Sequence, residues 1–161
     1  MPMIHNFVIE NKWVLSENVH ASYSWDRNGK IHKNGLAPDN QAHLDDNFIS
    51  YIYDSLQWLE TRNPSTGERS MGLNNYGITV IEDQQVLQRL HQIINAWIEL
   101  FSSAPETIIL RGDYCIDDGG KKGYYEKLLY NKVDLITELK KLARMAVHAV
   151  EHGKCLVHFG I

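Results

Sequence analysis

The sequence predicts a single α+β domain spanning residues 1–161, with a mixed β-sheet: an antiparallel meander near the N-terminus, then a β-α-β-α-β run, with about three main helices in all. Three observations predict it. The β-branched run Gly77–Ile81 is followed at once by apolar residues at three-to-four-residue spacing. A second amphipathic stretch, Asn131–His152, precedes the closing apolar run Lys154–Ile161. Asn28-Gly29 sits between two short stretches that read as strands, a pairing that tolerates the positive φ of a tight hairpin.

Taken in order, Phe7-Val8-Ile9 and Lys12–Leu15 form either one strand or a hairpin turning at Asn11. His20–Trp25 alternates Ala21, Tyr23 and Trp25 against polar residues, as a half-exposed strand does. Asp26–Gly29 turns the chain, and Lys30–Lys33 returns it. Asp45 or Asp46 caps a helix from Asn47 to about Thr61, whose Phe48, Ile49, Ile52, Leu56 and Leu59 share a face. From Arg62 to Tyr76 there is no periodicity, and a loop this long inside a domain is either functional or mobile. Asp83 caps the next helix, where Val86, Leu90, Ile93, Ile94, Trp97, Ile98 and Phe101 give the clearest stripe in the chain. Ala104-Pro105 ends it.

Thr107–Leu110 reads as a central strand and Arg111–Lys132 as a long polar connection. The last helix carries the stripe Val133, Ile136, Leu139, Ala143, Ala146, Val147 and Val150, and Gly153 follows at its end. One helix between two strands predicts a right-handed parallel crossover, so this half of the sheet is expected to be parallel.

At 161 residues and 43% hydrophobic, one domain buries about 70% of the surface its unfolded chain exposes. A formal charge of -4 argues against nucleic acid as a partner and suits an ordinary soluble protein or one whose partner is basic. Two cysteines, Cys115 and Cys155, are too few for a disulfide framework. Met1–Asn11 is broken by Pro2, His5, Asn6 and Glu10, unlike a signal peptide, and no run approaches the roughly 18 apolar residues of a membrane span. A cytoplasmic protein away from membranes is expected.

Tests for chemistry return little. His148-Ala149-Val150-Glu151-His152 fits the H-x-x-E-H zinc pattern, but only nine residues follow and none is acidic, so a third ligand is missing and no metal is expected. Cys155 and His158 are three apart in a strand and face opposite ways, so His158 is either a hydrogen-bonded core residue or a partner of Cys115 on a neighbouring strand. No glycine cluster has the spacing of a phosphate loop, so no cofactor is expected. Without these motifs an enzyme is the second reading: a small catalyst using a cleft at the C-terminal ends of the strands, where Arg111, Asp113 and the Arg69 loop would converge. A homo-oligomeric structural domain is the third.

Asp113, Tyr114, Asp117, Asp118, Tyr124, Tyr125 and Glu126 crowd one polar stretch, and Trp25-Asp26 marks the hairpin tip. Tyrosines supply rigid contact area and carboxylates steer association, so these are the candidate partner-binding residues. A mildly acidic α+β chain with such a stretch, ending in Glu151–Ile161, resembles the bacterial immunity proteins paired with contact-dependent or polymorphic toxins. The resemblance implies one-to-one binding of a cognate toxin domain, often a nuclease, without catalysis. It assigns no residue roles.

Overall fold

A computed structural model of the chain describes residues 3–12 and 19–161. The first apolar run is one strand, β1 (Ile4–Asn11), and the expected strand residues Trp13–Leu15 lie outside the described residues. β1 is central. It pairs on one side with β4 (Gln41–Asp45) and on the other with β10 (Lys154–Phe159). Beyond β10 come β7 (Ile78–Ile81), β5 (Glu60–Arg62) and β6 (Arg69–Met71), giving the order β4-β1-β10-β7-β5-β6. The α+β class is as expected, but every one of these pairings is antiparallel, so the sheet is not mixed.

The cause is the course between β7 and β10. Helix α3 (Gln84–Ser102) runs out, helix α4 (Lys132–Glu151) runs back against it, and His91 Nδ1 meets the Ala143 carbonyl at 3.1 Å where they cross. Two helices rather than one separate the strands, so the chain re-enters the sheet reversed. Thr107–Leu110 is not a central strand. It opens β8 (Thr107–Ile116), which among the described strands pairs only with β9 (Gly123–Asn131), and the polar connection expected from Arg111 is mostly this two-stranded ribbon.

Alternation divides the main sheet into two covered faces. Phe7, Ile9, Ala42, Leu44, Ile81 and Leu156 lie beneath the helices, with Leu87, Leu90 and Ile94 of α3 and Leu139, Leu142 and Ala146 of α4. Each such aliphatic side chain removed from water contributes about 1.5–3 kcal/mol. Val133, expected on the buried stripe of α4, is 68% exposed, because the stripe is centred on Leu135, Leu139 and Leu142. The expected helix 47–61 is split into α1 (Asp46–Tyr51), capped by Asp45 through the Phe48 N–H at 2.8 Å, and α2 (Tyr53–Leu56). It ends early because Glu60–Arg62 pairs with both β6 and β7. Half of the 62–76 loop is therefore a hairpin.

The second sheet face carries Val8, Val80, Cys155, Val157 and Phe159 under Tyr23, Ile31 and Leu36. Val19–Ser22 is a 3-10 turn rather than the start of a strand. β2 (Ser24–Trp25) and β3 (Ile31–His32) form a short hairpin of their own, so among the described residues β1, β2 and β3 form no meander. Asn6, fully buried in β1, seats this hairpin. Its amide donates to the Gly29 carbonyl at 3.0 Å, and its oxygen accepts the Ile31 N–H at 3.1 Å and His43 Nδ1 at 2.7 Å. Buried Glu10 accepts from both the Tyr23 hydroxyl and Lys33.

Candidate functional site

The β8–β9 ribbon grows from the helix ends. At its base Ile108 and Leu110 are buried in the core, Tyr130 donates its hydroxyl to Asp45 at 2.8 Å, and Lys132 Nζ reaches the Ala104 carbonyl at 2.7 Å. Pairing runs from Thr107 opposite Asn131 to Ile116 opposite Gly123, with one irregularity between Arg111 and Tyr114. Asp117 closes the tip: its side chain accepts the Lys121 N–H at 2.9 Å, its carbonyl accepts the Gly120 N–H at 2.8 Å, and Gly120 takes φ 64°. Asp26 and Gly29 close the β2–β3 hairpin in the same way, with φ 77° at Gly29. Those backbone donors hold the Asp26 carboxyl below its ordinary pKa.

Strand alternation gives the ribbon two faces. Tyr130 and Leu128 face the body together with Ile108 and Leu110, and Glu126 and Tyr124 continue that face. The outer face carries Ile109, Arg111, Tyr114 and Ile116 on β8 and Tyr125, Lys127 and Leu129 on β9. Five of these are exposed hydrophobics: Ile109 at 61%, Tyr114 at 58%, Ile116 at 63%, Tyr125 at 51% and Leu129 at 65%. More than half of every one is in water, so none of the described residues covers this face. The Tyr114 and Tyr125 rings meet edge-on at 5.1 Å, and the Arg111 guanidinium lies 4.7 Å over Tyr125. A Cβ at Gly123 would fall 1.6 Å from the Tyr114 hydroxyl, so the ring needs a glycine there.

The structure thus separates the candidate partner-binding residues. Tyr114 and Tyr125 come together on the outer face, while Tyr124 and Glu126 point the other way. Asp113 lies at the irregularity beside Cys115, whose thiol pKa is raised by desolvation, then by Glu126 and Asp113. Asp117 is occupied by the turn and Asp118 stands exposed at the tip. The ribbon is not acidic: Asp113, Asp117, Asp118 and Glu126 are matched by Arg111, Lys121, Lys122 and Lys127. Trp25 and Asp26 belong to the hairpin on the opposite side of the sheet, with Trp25 edge-on to Phe159 at 5.8 Å, and not to the ribbon's outer face. The sequence did not point to Ile109, Ile116, Leu129 or Lys127, and it pointed to Arg111 for a cleft at the strand ends rather than for this face. The Asp-x-x-Gly spacing common to Asp26–Gly29 and Asp117–Gly120 is the signal that would have found the second hairpin.

Elsewhere, His158 does not meet Cys115. It lies fully buried between His5, at 2.8 Å, and Thr79, at 3.5 Å, and His5 continues to Asp46 at 2.9 Å. Burial, then the neighbouring His5, holds the His158 imidazole well below its ordinary pKa. With one proton on each ring, one direction satisfies the row: Thr79 donates to His158 Nδ1, His158 Nε2–H to His5 Nδ1, and His5 Nε2–H to Asp46. Burial pushes the Cys155 thiol up to about 12, which leaves it protonated and unreactive. His148 and His152 stack on one another at 4.0 Å. Among the described residues no group of three or more His, Cys, Asp or Glu side chains is placed to hold a metal ion. Arg69 pairs with Glu60 at the β6 edge, away from the β4 edge where the ribbon is anchored, so Arg69, Arg111 and Asp113 do not converge. A groove of about 700 Å³ along α3 and α4 is lined by His91, Lys140, Arg144, His148 and Glu151.

The fold and the ribbon together describe an α+β scaffold presenting an uncovered apolar and aromatic surface. Compared with known proteins, the chain matches no family model, no curated protein and no solved structure. No helix among the described residues is long and apolar enough to cross a membrane.

Proposed function

We propose that this chain is a non-catalytic binding protein of the immunity type, acting in the cytoplasm and neutralising a cognate toxin domain that docks on the β8–β9 ribbon. The observation that carries the binding role is the outer face itself, five large apolar or aromatic side chains more than half exposed on a structure only two strands thick. A two-stranded ribbon is marginally stable by itself, so one that holds such side chains in water gains by being covered. Tyr114 and Tyr125, packed on each other and on Arg111, are the rigid anchors of the kind that dominate interface energies. The toxin assignment rests on the sequence resemblance.

The test is co-purification with the products of adjacent genes, followed by titration of a toxin-like partner. Tyr114→Ala with Tyr125→Ala is expected to weaken a one-to-one complex by more than about thirtyfold, the effect of losing an interface anchor, with the unfolding midpoint of the body unchanged. Equal affinity in the double variant would remove the ribbon from the interface. Cells expressing the toxin should survive only with the intact chain. A small-ligand reading is favoured by one observation, the groove along α3 and α4, where Lys140 and Arg144 face solvent and make no ion pair among the described residues. A thermal shift abolished by Lys140→Ala would support it.

A further inference from the structure

We infer that the outer face of the ribbon selects a protein partner whose docking patch is apolar and carries carboxylates; this rests on the ribbon being the docking surface. The face is segregated by charge. Its residues are Thr107, Ile109, Arg111, Tyr114 and Ile116 on one strand and Gly123, Tyr125, Lys127, Leu129 and Asn131 on the other, two cations and no acid. The ribbon's acids lie on the other face, at the irregularity or at the tip. Among the described residues neither Arg111 nor Lys127 makes an ion pair.

These two cations are also direct cross-strand neighbours. Like charges placed opposite one another destabilise a strand pair, and among the described residues no carboxylate pairs with either cation, although Arg111 also lies over the Tyr125 ring. A carboxylate brought by a partner would relieve the repulsion, in an interface that excludes water and strengthens the attraction. A second copy of the chain is disfavoured as occupant, since face-to-face pairing would bring four cations together. Single-stranded nucleic acid would use the tyrosines and cations, but it has no use for Ile109, Ile116 and Leu129, and the whole chain is acidic.

Three labelled probes test this against the full chain by fluorescence anisotropy: a peptide alternating leucine with glutamate, its leucine–lysine counterpart, and oligothymidine. The acidic peptide is expected to bind at least about tenfold tighter than the basic one. Lys127→Glu should abolish that preference while slowing amide hydrogen exchange along the ribbon, because it replaces a like-charge pair by an opposite one. A structural role for Lys127 would not move binding and stability in opposite directions. Stronger binding of the basic peptide or of oligothymidine overturns the inference, as does a preference unchanged by Lys127→Glu, or a dimer of the chain alone in sedimentation that Lys127→Glu alters. If both peptides bind alike and Leu129→Ala weakens both, the ribbon docks and only its charge preference is refuted. If neither binds more tightly to the wild-type chain than to Leu129→Ala, the docking surface itself is refuted.

Discussion

The β2–β3 hairpin and the β8–β9 ribbon turn on the same Asp-x-x-Gly device and end in opposite surroundings. The first has strands of two residues, yet its Ile31 is completely buried and its backbone is bonded to Asn6 of the main sheet. The second has strands of ten and nine residues, yet beyond Leu110 and Leu128 it touches little except itself. Length of pairing does not decide which hairpin is part of the body. Burial and side-chain anchoring do, and the strand pair that lacks them keeps its aromatic residues available.

The anchoring can be broken at Asn6. Asn6→Ala leaves the buried Ile31 N–H and the half-buried His43 Nδ1 without their partner, and a buried group left unpaired costs about 1–3 kcal/mol. A loss of about 3 kcal/mol is expected from urea unfolding followed by tryptophan fluorescence. A loss under about 1 kcal/mol would mean that Ile31 and Tyr23 seat the hairpin by apolar contact alone.

Acid should act on the body and spare the ribbon, which contains no histidine. Burial lowers His43 to about 4 and holds His158 well below its ordinary value. Both folded pKa values are depressed, so between the unfolded value near 6.5 and the folded one the unfolded chain binds protons that the folded chain refuses. The stability they confer is complete above about pH 6.5 and falls as pH drops, by up to about 1.4 kcal/mol per pH unit for each imidazole. His43 stops contributing to the slope near pH 4, where it protonates in the folded protein too. Urea midpoints across this range check the slope, and His43→Gln, which can still donate to Asn6, should remove close to one proton's share. A flat profile would contradict the burial of these rings.

How much of this was legible in the sequence follows from which residues are periodic. α3, α4, β7 and β10 each bury a regular stripe or run and could be placed from spacing alone. Strand direction could not, because it depends on whether Thr107–Leu110 joins the sheet, and Ile108 and Leu110 are inward-facing in either case. The distal ribbon was hidden because neither face is buried, so Tyr114, Glu126 and Lys127 show no apolar alternation. His5, Asn6 and Glu10 look like interruptions in an apolar run, while their partners His158, Ile31 and Tyr23 are distant in sequence. Of the site, the tyrosines were legible and the face they share was not.

The finest contrast is between the two turn glycines. Both take positive φ, 77° at Gly29 and 64° at Gly120, where an L side chain costs about 1–2 kcal/mol. Gly29 is buried and its carbonyl is bonded to Asn6, so the cost of Gly29→Ala should appear in full in global unfolding. A Cβ at Gly120 meets nothing within 4 Å, so only the backbone cost applies there. The ribbon tip can open while the body stays folded, and a cost confined to the tip is then relieved by local opening. Gly120→Ala should therefore move the global midpoint by only a few tenths of a kcal/mol. It should instead speed amide hydrogen exchange between Ile116 and Gly123 and leave β1 and β10 unchanged. Equal shifts of the global midpoint for the two variants would show that the ribbon unfolds together with the body, and the contrast between the hairpins would be one of exposure alone.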